Sequence, residues 1–212
     1  MTVKETTLLA ELIASKICHD LTSPVGAVSN GVEVLEEMGV DDDVISLISF
    51  SAEQANAKLK TLRMAYGLGG ADESIKLEQI HQYFGEYIAG DKRVTQDWDP
   101  RLDLGFEPRR GFPKLLMCAL LLLADSLPKG GQISLEADAG DAVRLSATGE
   151  RAALRDDFLP ALMLETSVEK LDAKLIHPYI MGLFADKYDY EICVDETGDD
   201  FIALRLKQIV VS

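Results

Sequence analysis

His19 is the residue whose neighbours read as chemistry rather than packing. It lies in Ser15-Lys16-Ile17-Cys18-His19-Asp20-Leu21-Thr22-Ser23-Pro24-Val25. An imidazole serves as nucleophile, proton carrier or metal ligand, and the surrounding residues decide which. Residues three and four away on a helix share a face, so Ser15, Lys16, Thr22 and Ser23 surround the ring, with Gly26 one turn further on. Apart from Lys16 these side chains are small, which lets another protein come close to the imidazole. Asp20, the adjacent acid, is a second candidate, with a plain surface carboxylate as its other reading.

The element that must position this cluster is a long amphipathic helix. Leu9, Ile13, Ile17, Leu21, Val25, Val28, Val32 and Leu35 recur at steps of four and three, the spacing of one helical face. At about 100° per residue, His19 falls roughly 170° from the centre of that stripe, available to a partner. Pro24 removes a backbone donor and clashes with the carbonyl of Asp20, which predicts a kink that loosens the His19 turn. Leu8 and Leu12 project on roughly the His19 side, where they serve either as docking residues or as packing at the end of a bundle.

The helix is expected over about residues 5–38, followed by a turn at Gly39-Val40-Asp41. A second helix follows, with Asp41 to Asp43 as N-cap and first-turn acids and Val44, Leu47, Ile48, Ser51, Ala55, Leu59 and Leu62 at helical spacing. Two long helices on a short loop form an antiparallel hairpin. A lone hairpin leaves apolar surface uncovered, so a second copy completing a four-helix bundle is expected, hence a homodimer.

The run His19-Asp20-Leu21-Thr22-Ser23-Pro24-Val25 resembles the phosphoacceptor box of dimeric sensor histidine kinases. The longer run Ile17 to Ala27, with Asn30-Gly31-Val32-Glu33-Val34-Leu35-Glu36, resembles the ChpT family of bacterial histidine phosphotransferases. That resemblance implies a dimer built like a histidine kinase without its ATP site. It implies that His19 relays phosphoryl groups between receiver domains, those of a hybrid histidine kinase and of response regulators. The receiver would bring Mg²⁺, so no cofactor or metal is expected in this chain. Asp20 would orient the imidazole or restrain its tautomer, and Lys16 or Thr22 would meet the phosphoryl oxygens. Ser23 stands where kinases often carry a Thr or Asn that positions water, which leaves phosphatase activity open.

Beyond Gly67-Leu68-Gly69-Gly70-Ala71, which reads as a hinge, the pattern changes. The division is residues 1–69 as a helical phosphotransfer and dimerisation domain and residues 70–212 as an α/β domain. In the latter, helices are expected over 75–89, 113–126, 154–165 and 171–184, with strands over 94–98, 102–106, 133–137, 142–147, 188–194 and 201–206. The fold class is α+β: the hairpin, then a two-layer α/β sandwich that resembles the histidine kinase ATPase domain. The nucleotide signals of that domain fail, however. Residues 112–132 hold no asparagine, and the place of an Asp-x-Gly-x-Gly loop reads Ala147-Thr148-Gly149-Glu150-Arg151. No P-loop, zinc spacing or EF-hand loop occurs elsewhere.

Whole-chain properties narrow the classes further. A net charge of −15 over 212 residues argues against a nucleic-acid partner, which needs clustered Lys and Arg. The longest uncharged apolar run, 115–124, is half the length of a membrane span. The N-terminal residues show no signal-peptide pattern, and Cys18, Cys118 and Cys193 form neither a disulfide framework nor a metal knuckle. A cytoplasmic protein is expected. His81 reads as surface or partly packed, and His177, before Pro178, as a helix-start residue. Two other function classes stay open: an active histidine kinase with an unusual nucleotide site, and a non-catalytic dimeric adaptor that binds receivers or kinases.

Overall fold

The computed structural model describes residues 1–90 and 93–209. Helix α1 spans Val3–Met38 and opens on a capping box, with Thr2 accepting from the Glu5 amide and the Glu5 carboxylate accepting from the Thr2 amide. It continues through Pro24, which is buried. Helix α2 spans Asp42–Tyr66, with Asp41 Oδ1 accepting from the amides of Asp43 (2.9 Å) and Val44 (3.2 Å). The two helices form the expected hairpin. They approach closely at Gly31, where a Cβ would meet the Ile48 side chain at 2.5 Å.

A 3-10 turn, Leu68–Ala71, leads into α3 (Leu77–Ile88), β1 (Val94–Gln96) and α4 (Phe112–Asp125). Strands β2 (Gly131–Asp138) and β3 (Ala142–Thr148) follow, then α5 (Phe158–Leu162), α6 (Ile176–Tyr188) and the hairpin of β4 (Tyr190–Gly198) and β5 (Phe201–Gln208). The sheet order is β1-β2-β3-β5-β4, parallel only between β1 and β2. Away from the helices, Arg144 bonds Asp195 (2.8 Å), Glu196 (2.9 Å) and Glu136 (3.4 Å), and Arg205 pairs with Asp138 (2.7 Å).

Three expectations give way to local chemistry. Residues 102–106 form a turn instead of a strand: Asp103 Oδ1 accepts from the Gly105 amide (3.0 Å), and Gly105 sits at φ 75°. The helix expected over 154–165 shrinks to Phe158–Leu162, because Pro160 belongs in a first turn and Leu164 leaves the helix at φ 59°. The helix expected from 171 starts at Ile176, since Asp172 Oδ1 takes the amides of Lys174 and Leu175, both at 2.8 Å, in an Asx turn, with Pro178 in the first helical turn.

Helix α4 explains how the parts hold together. Every residue from Phe112 to Leu123 is buried, because the sheet, α2, α3 and α6 all pack on this helix. A helix apolar all round belongs in such a place. Leu9, Met64 and Ala65 of the hairpin share one core with Leu116, Leu145 and Leu204. The glycine segment after α2 is tied to α4: Lys114 Nζ donates to the carbonyls of Ala65 (3.1 Å) and Gly67 (2.6 Å). Among the described residues, no helix is long and apolar enough to cross a membrane.

Candidate functional site

His19 stands on the open side of α1 with its side chain 88% exposed. Its Nδ1 lies 3.4 Å from Asp20 Oδ1, at the outer edge of hydrogen-bonding range. Asp20 turns the other way, into the base of the helix, where Oδ2 pairs with Lys16 Nζ at 3.3 Å. Both of these side chains are largely covered, at 21% and 17% exposure. Two adjacent residues therefore divide the work of the turn. The ring meets solvent, and the carboxylate anchors beneath it.

Lys16 and Asp20 reach a narrow crevice between α1 and the rest of the molecule, lined also by Tyr66, Tyr87, Asp125 and His177. Burial pushes the Tyr66 phenol far above its ordinary range, so it stays protonated and donates to His177 Nδ1 at 2.6 Å. His177 Nε2 then carries the ring proton, donated to the Cys118 carbonyl at 3.0 Å. Burial, with Lys16 adding to it, holds the His177 pKa down to about 4. This ring is a buried cross-brace between hairpin and body, where the sequence alone marks only a helix start.

The other candidates scatter around this centre. Ser15, Thr22 and Ser23 are exposed, and Gly26 has open space above it. The Thr22 hydroxyl donates to the Cys18 carbonyl at 2.7 Å, within its own helix. Lys16 is turned onto Asp20, away from the ring's open face. Leu12 is half-buried, packed against the core. His81 is partly covered, edge-on to Trp98.

A residue that sequence reasoning passed over also touches this turn. Lys58 of α2 donates from Nζ to the backbone carbonyl of Asp20 at 3.0 Å. It lines, with Ser23, Pro24, Phe50, Tyr87 and Asp125, a cavity of about 380 Å³ between hairpin and body. The signal was present in the sequence, because a proline at 24 leaves the carbonyl at 20 without its helical donor.

Helix α4 and the Ala147 to Arg151 loop make their contacts within the fold. Lys114 is the one charged side chain of the buried stretch of α4, and it caps α2 instead of facing a cleft. Its burial brings the ammonium pKa down to about 8. Ala147 is fully buried. A Cβ on Gly149 would collide with the Gly130 carbonyl, so that glycine serves a close backbone crossing. Arg151 sits at φ 63° and donates its amide to Asp200 Oδ1 at 2.5 Å, fastening the loop to the β4–β5 turn.

Comparison with known proteins points one way. The family model for the histidine phosphotransferase C-terminal domain matches residues 77–200. The protein phosphotransferase ChpT of Brucella abortus (strain 2308) is 31% identical over 198 residues, spanning 92% of this chain and 93% of that protein. A solved structure of a bacterial phosphotransferase superposes with a TM-score of 0.76 at 29% identity, covering 98% of both chains.

Proposed function

This chain belongs to the ChpT-type histidine phosphotransferase family, and from that premise we propose that it relays a phosphoryl group between receiver-domain aspartates through a phosphohistidine at His19. The observation that carries the reading is the exposed His19 ring with Asp20 anchored beside its Nδ1. A proton kept on Nδ1 by Asp20 leaves the Nε2 lone pair free. That lone pair attacks the phosphorus of a receiver's aspartyl phosphate, the Nε2–P bond forms, and the P–O bond to the receiver's aspartate breaks, releasing its carboxylate. The reverse exchange with a second receiver completes the relay. Such transfers depend on alignment and charge neutralisation, and the receiver supplies its carboxylate and Mg²⁺. No cofactor of this chain's own enters.

ATP has no part in this reading. Its support is the packed state of α4 and of the Ala147 to Arg151 loop. The protein acts as a homodimer, a reading supported by the uncovered apolar residues Val25, Val32, Ile45, Leu47, Phe50 and Leu59 on the hairpin. The α/β body forms a wall of the receiver-docking surface, along the cavity that opens between Ser23 and Asp125.

A phosphotransfer assay tests the relay. The protein is offered radiolabelled ATP, then a panel of phosphorylated receivers. Acid-labile label should arrive only from a receiver, be lost in His19→Ala and slow in Asp20→Asn. Label taken directly from ATP would make the protein a kinase. No label from either source, with receivers still bound, would make it an adaptor.

A further inference from the structure

Within an α-helix the carbonyl of residue i accepts from the amide of residue i+4. At Asp20 that donor would be residue 24, which is proline and has no N–H. The gap falls in the turn that carries His19. Pro24 is buried, and α2 reaches the gap with the Lys58 ammonium, 3.0 Å from the Asp20 carbonyl oxygen. A charged donor makes the stronger class of hydrogen bond. Asp20 is thereby held at both ends, by Lys58 at its carbonyl and by Lys16 at its carboxylate, 3.3 Å away. The carboxylate so fixed is the one beside His19 Nδ1.

We infer that Lys58 is a positioning residue for phosphotransfer: it supplies from α2 the hydrogen bond that Pro24 withholds from Asp20, and so fixes the turn that presents His19. The inference rests on His19 being the phosphoacceptor. Lys58 acts on the backbone beneath the ring, so its effect belongs in the rate of transfer more than in receiver affinity. Pro24 and Lys58 act as a pair. A chain that regains the amide at 24 has no further need of the ammonium.

A double-mutant cycle tests this with the full-length protein. Lys58→Met should lower kcat for transfer from a phosphorylated receiver about tenfold, within the roughly hundredfold that a misplaced reactant can cost, with a much smaller change in KM for the receiver. Lys58→Arg, which keeps a charged donor, should restore most of the rate. In a Pro24→Ala background, Lys58→Met should change kcat less than about twofold, because the amide at 24 closes the ladder. Full activity in Lys58→Met overturns the inference. So does an equal loss in the Pro24→Ala background, which would put the ammonium on the phosphoryl group itself. The carbonyl ¹³C shift of Asp20 reads the same contact without any transfer. It should move in Lys58→Met and return in Lys58→Arg, and a shift that stays put refutes the contact even if no receiver donates to the wild type. Failure of the wild type to accept label, with the carbonyl responding as described, would fault the relay and leave the Lys58 contact standing.

Discussion

Mild acid should strike this protein at His177. The ring is 2% exposed and its two nitrogens have complementary partners, Nδ1 accepting from Tyr66 (2.6 Å) and Nε2–H donating to the Cys118 carbonyl (3.0 Å). That pattern holds only for the neutral ring. A second proton would face the Tyr66 oxygen, in a site where burial already opposes charge. The folded chain takes up that proton at about 4, against an ordinary 6.5. Between those values the unfolded chain binds more protons, so stability falls as pH drops from 6.5 towards 4, and the full penalty is present below both. The interval corresponds to ~3 kcal/mol, most of it reached by about pH 4.5. Urea unfolding of the wild type and of His177→Gln isolates the effect, because the amide can take both hydrogen bonds and does not titrate. From about pH 7.5 to about pH 4.5 the wild type should lose roughly 2 to 3 kcal/mol more than the variant. Parallel pH curves for the two proteins would refute the reasoning.

Two further outcomes follow from the surfaces. The wild type should sediment as a dimer, and Val32→Glu, which places a charge among the exposed apolar residues of the hairpin, should give a folded monomer; a monomeric wild type would remove the bundle. With a non-hydrolysable phosphoryl mimic on a receiver, amide exchange should slow both over residues 15–26 and at the body residues that line the cavity, Ile88, Val94 and Asp125. Protection confined to α1 would deny the body a share in docking.

Much of this was legible in the residues. The four-and-three apolar spacing of α1 and the Asp41 cap are local signals, and each produced its element. His19 could be placed opposite the stripe by angle alone, and it is exposed as that angle requires. The prolines at 160 and 178 also carried usable information, since each belongs in the first turn of a helix. They would have moved two helix starts to where they stand. What sequence could not supply were contacts between distant parts. Lys58 meets Asp20 across 38 positions, Lys114 meets Gly67 across 47, and Tyr66 meets His177 across 111. Spacing rules see only neighbours on one element. Such pairs exist only after helices pack, and Pro24 alone gave notice that one of them was needed.

The burial of α4 on all sides has a consequence for exchanging parts between relatives. The helix is floor to the hairpin and roof to the sheet at once, and its Lys114 terminates α2. Removing residues 70–212 would bare Leu9, Met64 and Ala65 to water and leave the α2 carbonyls uncapped. The hairpin is therefore not a cassette. A chimera that grafts this phosphoacceptor helix onto another body must carry the hairpin-facing side of α4 with it, because that is where the two halves were fitted to each other.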